Sequence, residues 1–312
     1  MVDQENVTTL LGFGYECLKN VDFKTAGDFF DKALESDFEN PEVLFALKCH
    51  QYWSHPLEQM AGIQSLLAKG DFALQQWKGF LSFLSRIEGD FEITRYAFKR
   101  MLFGSALESF LSIPDDEKDR LGRELDLRIG ICRKSLGDYE TALNHLERAL
   151  RAKKDDARVL AELADTHALS GEQRLSKALF REAFFQDPDK IDTSLLESDL
   201  IRLIVDKVTA LGFSGRELSE WIPVHAQLMG VFNVKRELTQ TEVARVNSSI
   251  FQIENDVREN PSDTKFMKPR LLNRYFWLAD HYRGSIADKA KYDQILLKIR
   301  LLDQEIFKQY AA

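Results

Sequence analysis

Large and small apolar residues return along this chain at a spacing of 34. Gly137–Asp138–Tyr139 is followed by Ala142, Leu146 and Ala149; 34 positions on stand Gly171, Phe180 and Ala183, and Phe23, Ala26, Phe30 and Ala33 hold the matching offsets near the start. A period of this length predicts helical hairpins, each too small to bury its own apolar face and therefore stacked on the next. Blocks begin at Val7, Pro41, Gln75, Arg123 and Ala157. The small residues let the two helices of a hairpin approach closely, and the aromatic and Leu positions fill the space between hairpins. The Gly-Asp-aromatic stretch makes the turn: Gly accepts the left-handed backbone at a helix end, and Asp caps the next helix. The block at Pro41 is in phase but degenerate, with Met60, Gln64 and Leu67 where Ala, Phe and Ala are expected.

Between Gln75 and Arg123 the spacing widens to 48, so 14 extra residues intervene around Ser109–Gly122. They predict a second helix lengthened past Phe110 and then a loop entered through Pro114. Beyond Lys190 the recurrence fades. Leu195–Leu211 reads as a helix, Ser214 as the N-cap of another holding Trp221, with Pro223 ending or kinking it. Thr239 and Glu242 have capping-box spacing ahead of a helix to about Val257. Pro269 suits an early position of a further helix. In a last helix from about Asp288, Tyr292, Ile295, Ile299, Leu302 and Ile306 form a 3,4,3,4 seam, able to dock on the chain itself or to pair with a second chain.

The block pattern resembles the tetratricopeptide repeat: Leu10, Phe13–Gly14, Ala26, Phe30 and Ala33 in the first block; Ile129–Gly130, Ala142, Leu146 and Ala149 in the fourth; Leu163–Ala164, Gly171, Phe180, Ala183 and Pro188 in the fifth. The resemblance covers roughly Val7 to Lys190. It implies an all-α, tetratricopeptide-like helical-hairpin solenoid, a right-handed superhelix with C-terminal capping helices. On that reading residues 1–108 form an array of about three hairpins, 109–122 an insertion, 123–190 two further hairpins and 191–312 a capping region. The family's first helices line a concave groove. The matching positions here are Leu11, Tyr15 and Lys19; Phe45, Cys49, Tyr52 and Trp53; Phe83 and Arg86; and Leu127, Ile131 and Lys134. They are mostly apolar or aromatic, so the resemblance implies a partner protein or peptide offering an apolar or helical segment, not one held by a carboxylate clamp.

Composition narrows the picture further. An apolar fraction of 44% supports a packed core. No run of about 18 apolar residues predicts a membrane span. Three scattered cysteines, no basic leader and no lipid-anchor motif give a cytoplasmic expectation. The net charge of −8 argues against nucleic acid, although residues 265–312 hold 10 Lys and Arg against 5 Asp and Glu. Lys265, Lys268, Arg270 and Arg274 are therefore the residues an RNA-binding alternative would use; self-association through the C-terminal helices is the other. Neither a phosphate-cradling loop nor a HExxH pair occurs, and Cys49 beside His50 points in a different direction from it on a helix. The acidic stretch Asp115–Glu117 lacks EF-hand spacing. The expectation is no catalytic residue, no cofactor and no metal: a non-catalytic interaction scaffold or adaptor.

Overall fold

The computed structural model describes residues 2–234, 237–259, 264–283 and 286–311, with side chains from residue 7 onward. Among the described residues the regular structure is helical, with sixteen α-helices, two short 3-10 turns and no strand. The chain divides into two compact units, Met1–Ala152 and Lys153–Ala312. The division separates the fourth block from the fifth instead of falling at the 14-residue insertion.

The first unit holds α1 (Val2–Lys19), α2 (Phe23–Ser36), α3 (Pro41–Ala61), α4 (Leu66–Leu84), α5 (Glu92–Leu111), α6 (Asp115–Leu121), α7 (Arg123–Ser135) and α8 (Tyr139–Ala152). Helices α1 and α2 pack as a pair, as do α4 with α5 and α7 with α8, and α5 lies against both α1 and α7. Glycines set the closeness of these pairs. A Cβ on Gly130 would come within 2.6 Å of Leu146 Cγ, and one on Gly14 would overlap the Phe30 ring. Phe30 and Leu146 are fully buried, each contributing on the order of 1.5–3 kcal/mol over exposure.

The turns carry the sequence period into the backbone. Val21 (φ 61°), Gly89 (φ 90°) and Gly137 (φ 86°) all adopt the left-handed conformation at the equivalent place in their blocks. At Val21 the Asp22 N–H reaches back to Cys17 O (2.9 Å), and at Gly137 the Asp138 N–H reaches Arg133 O (2.9 Å), the same closure of the preceding helix. The block at Pro41 departs from this. Its equivalent position is His55, where the backbone stays helical, and α3 runs on through Pro56 to Ala61. Ser65 then caps α4, accepting from Ala68 N–H at 3.3 Å, and α4 spans the expected boundary at Gln75 without a break. The expected second hairpin is thus one long helix plus the start of the next. The insertion takes the form of α5 continued to Leu111 and the seven-residue α6. Asp115 and Asp116 in its first turn complement the helix dipole and pair with Lys118 and Arg120.

The second unit begins with the α9 (Ala157–Leu169) and α10 (Gln173–Gln186) pair, joined through Gly171 at φ 93°. Two 3-10 turns lead to α11 (Asp199–Ala210) and α12 (Gly215–Leu228); α12 passes through Pro223 without ending. The buried Asp165 holds this connection, accepting from the N–H groups of Glu197 and Ser198 at 2.8 Å each. Then come α13 (Gln240–Glu259), α14 (Thr264–Tyr282), α15 (Lys289–Leu302) and α16 (Gln304–Ala311). The capping box opening α13 is made in both directions, Thr239 N–H to Glu242 Oε2 (2.8 Å) and Glu242 N–H to Thr239 Oγ1 (3.3 Å).

Helix α14 is the axis of this unit, buried almost all round, with α12, α13 and α15 packed on it. Its basic residues serve the fold. Asn273 and Arg274 donate to the last carbonyls of α10, Phe184 O (3.1 Å) and Phe185 O (2.6 Å). Burial pulls the Arg274 guanidinium down to about 10, so it stays charged near neutrality. Arg270 forks onto the buried Glu220, and Lys268 pairs with Asp303 at 2.8 Å. Three of the four cations that an RNA-binding alternative needs are engaged inside the unit. Arg181 and Asp280 form a second buried pair at 2.6 Å. The C-terminal seam is internal as well. Asp303 interrupts it and caps α16, accepting from the Glu305 and Ile306 N–H groups at 2.9 Å. Ile295, Ile299 and Ile306 are buried, and Tyr310 stacks on Phe276 (4.4 Å) and donates to Asp280 Oδ1 (3.2 Å).

Candidate functional site

The twelve positions expected to line a groove separate into three groups. Leu11, Tyr15, Phe45, Cys49, Trp53, Leu127, Ile131 and Lys134 are buried; Tyr52 and Phe83 are half-buried; Lys19 and Arg86 are exposed. The eight buried side chains do not form an open floor, because the chain's own helices occupy the space in front of them. Tyr15 on α1 donates to Glu42 Oε1 on α3 (2.8 Å) and lies 2.6 Å from Thr94 Oγ1 on α5. Burial pushes the Tyr15 phenol well above its ordinary range, so it remains a donor. Phe45 is covered by Phe91 at 5.4 Å and by the Gly89 turn. Trp53 lies on Phe80 at 5.0 Å. Lys19 forms an ion pair with Glu16 one turn earlier. The sequence contained signals for part of this: Glu42 and Thr94 are polar residues in otherwise apolar stretches, but only the paths of α3 and α5 together bring both to one hydroxyl.

What reaches solvent is an aromatic edge shared by α3 and α4. The Tyr52 and Phe83 rings stack at 4.7 Å, 28° apart, backed by Phe80 at 5.3 Å from Tyr52. Gly79, one turn before Phe83, leaves room for the Tyr52 hydroxyl; a Cβ there would stand 2.8 Å from Tyr52 Oη. Burial raises the Tyr52 phenol, keeping it neutral and able to donate. Arg86, just past the end of α4, is exposed and makes no ion pair among the described residues. The edge therefore offers an apolar ring face and a hydroxyl, a pair suited to a side-chain anchor.

The chemical candidates are structural. Burial pushes the Cys49 thiol up to about 12, which removes the thiolate a nucleophile needs. His50 points away from it, its Nε2 2.9 Å from Phe23 O and its ring stacked on Phe23 at 3.9 Å, in space left by Gly27. Among the described residues no group of three His, Cys, Asp or Glu side chains converges to hold a metal ion. An open cavity of about 480 Å³ at the start of α10 is lined, among the described residues, by Gln173, Arg174, Lys177, Asn233 and Val234. No helix among the described residues is long and apolar enough to cross a membrane. Compared with known proteins, the chain matches neither a family model nor a curated sequence.

Proposed function

We propose that the chain is a non-catalytic, tetratricopeptide-like scaffold of the cytoplasm that holds a segment of a partner protein. The observation that carries this reading is the half-open Tyr52–Phe83 stack, with the exposed Arg86 following shortly after Phe83 in the chain. Surface aromatic residues and arginine are the residue types enriched in binding hot spots. It accepts an apolar side chain on the rings and a carboxylate or backbone carbonyl at Arg86. The partner meets this edge and not a groove running across all five blocks, since the other predicted groove residues support the fold. Cys17, Cys49 and Cys132 form no disulfide among the described residues, which accords with a reducing compartment.

The test is crosslinked affinity capture from the native cell with wild type and Arg86→Glu, the latter verified by circular dichroism. A charge-assisted hydrogen bond is worth about 1.5–3 kcal/mol, so the reversal lowers recovery of the specific partner roughly tenfold or more. Tyr52→Phe, which keeps the ring, costs less. Undiminished recovery of every specific partner by Arg86→Glu overturns the assignment.

A further inference from the structure

Four cations of the second unit are engaged within it: Arg181 with Asp280, Arg270 with Glu220, Lys268 with Asp303, and Arg274 with the Phe185 carbonyl. Arg174 and Lys177 are not. They stand three apart in the first two turns of α10 and line the cavity of about 480 Å³ with Gln173, Asn233 and Val234. Arg174 is exposed and Lys177 half-buried, and neither makes an ion pair or a side-chain hydrogen bond among the described residues. Their placement works against the helix. Like charges at i and i+3 repel, and cations near a helix N-terminus oppose its dipole. No side chain caps α10, and its first turn holds no acidic residue. Glu172, just ahead of the helix, is not among the described lining residues. The fold gains nothing from the two cations where they stand; an anion in the cavity would reverse both costs.

The remaining described part of the lining is held in place from behind. Val234 O accepts from Arg181 Nη1 at 2.9 Å, and Arg181 Nη2 donates to Asp280 Oδ2 at 2.6 Å, in a pair that is almost fully buried. This clamp takes up the Val234 carbonyl, an acceptor that would otherwise oppose an anion. The Asn233 side chain beside it is exposed. Two unpaired cations, two carboxamides and the positive end of a helix thus surround a space within the range of small-ligand sites, about 300–1,000 Å³. We propose that this cavity binds a small phosphomonoester, with Arg174 and Lys177 on the phosphoryl oxygens and Asn233 donating from the clamped segment. Charge selects the class. The two cations match the charge of about −1.5 to −2 that a phosphomonoester carries at pH 7. A monocarboxylate leaves one cation unmatched. Polyanionic RNA meets a chain of net charge −8 with only these two cations at the cavity.

Isothermal titration calorimetry of the full chain at low salt, with glucose 6-phosphate, phenyl phosphate and inorganic phosphate as probes, reads the binding directly. At least one of the two esters binds at a single site, and glucose and phenol do not. Arg174→Ala and Lys177→Ala each weaken that binding about tenfold or more, as the loss of a charge-assisted hydrogen bond requires. Lys207→Ala removes an exposed cation of α11 outside the described lining and leaves the binding unchanged. Circular dichroism confirms that each variant folds. The proposal is overturned if neither ester saturates the chain up to about 10 mM, whether or not inorganic phosphate binds. It is overturned equally if ester binding survives in the Arg174→Ala, Lys177→Ala double variant. A short single-stranded RNA that binds while neither ester does assigns the two cations to nucleic acid instead. None of these outcomes bears on the Tyr52–Phe83 edge, which belongs to the first unit and is tested separately.

Discussion

Val21 and Gly137 occupy equivalent turns with the same backbone and different residues, so exchanging their chemistry should move stability in opposite directions. Val21 adopts φ 61° and Gly137 φ 86°. The left-handed conformation costs an L-residue about 1–2 kcal/mol. Replacing glycine by alanine recovers about 0.4–1 kcal/mol by restricting the unfolded chain. A Cβ on Gly137 meets nothing within 4 Å, so contact energy does not enter, and Gly137→Ala should destabilise by about 0.5–1.5 kcal/mol. Val21→Gly runs the arithmetic in reverse. Val21 is 45% exposed and loses little packing, so the change should stabilise by about 0.5–1 kcal/mol. For a unit of about 150 residues, each kcal/mol corresponds to about 2–4 °C in Tm. Urea and thermal unfolding followed by circular dichroism at 222 nm measure both variants against wild type. If Val21→Gly destabilises as much as Gly137→Ala, the two turns do not share a strained backbone and the reasoning fails.

The helix-pair glycines give a second contrast in the same assay. Gly12→Ala, with open space at its Cβ, should stabilise α1 by up to about 1 kcal/mol, whereas Gly14→Ala drives a methyl into the Phe30 ring and should cost about 1–3 kcal/mol. On α15, Ile299→Ala removes a fully buried side chain and should cost about 2–5 kcal/mol; Leu301→Ala on the exposed side should stay within about 0.5 kcal/mol, and equal effects would mean the seam is not internal. Burial pushes the Asp303 carboxyl up, but the Ile306 N–H, the Lys268 ammonium and the Glu305 N–H outweigh it and hold it below the usual carboxylate range. Its stabilisation of α16 is therefore present above the unfolded-state value of about 4 and lost as pH falls through the lower folded value. Hydrogen exchange at residues 304–311 should rise on acidification below that point, and Asp303→Asn should raise it already at neutral pH, by about 1 kcal/mol of cap, with no further step at acid pH.

Local chemistry was legible without the fold. The 34-residue period, the turn glycines, the capping box at Thr239–Glu242 and the small–large contacts at Gly130–Leu146 all depend on residues near each other in sequence or in a fixed helical register. Those constraints are written in spacing, and spacing survives folding unchanged. The long α3 was legible only in part: the block lacks the Gly-Asp turn of its neighbours, but Val21 shows that a missing Gly does not by itself remove the stop. What spacing does not encode is which face another element will cover. Tyr15, Phe45 and Trp53 look like a lining because register turns them to one side of their helices, yet α5, the Gly89 turn and α4 fill that side. Likewise Arg270, Arg274 and Lys268 read as a basic stretch until Glu220, Phe185 O and Asp303 arrive from distant parts of the chain. The sequence alone determined that the chain is helical and where the turns at Val21, Gly89, Gly137 and Gly171 lie. The tertiary structure decided which apolar and charged faces are spent on the core and which, at Tyr52 and Phe83 and at Leu297 and Leu301, stay at the surface. Burial is a property of distance between segments, and distance is set only when all of them are in place.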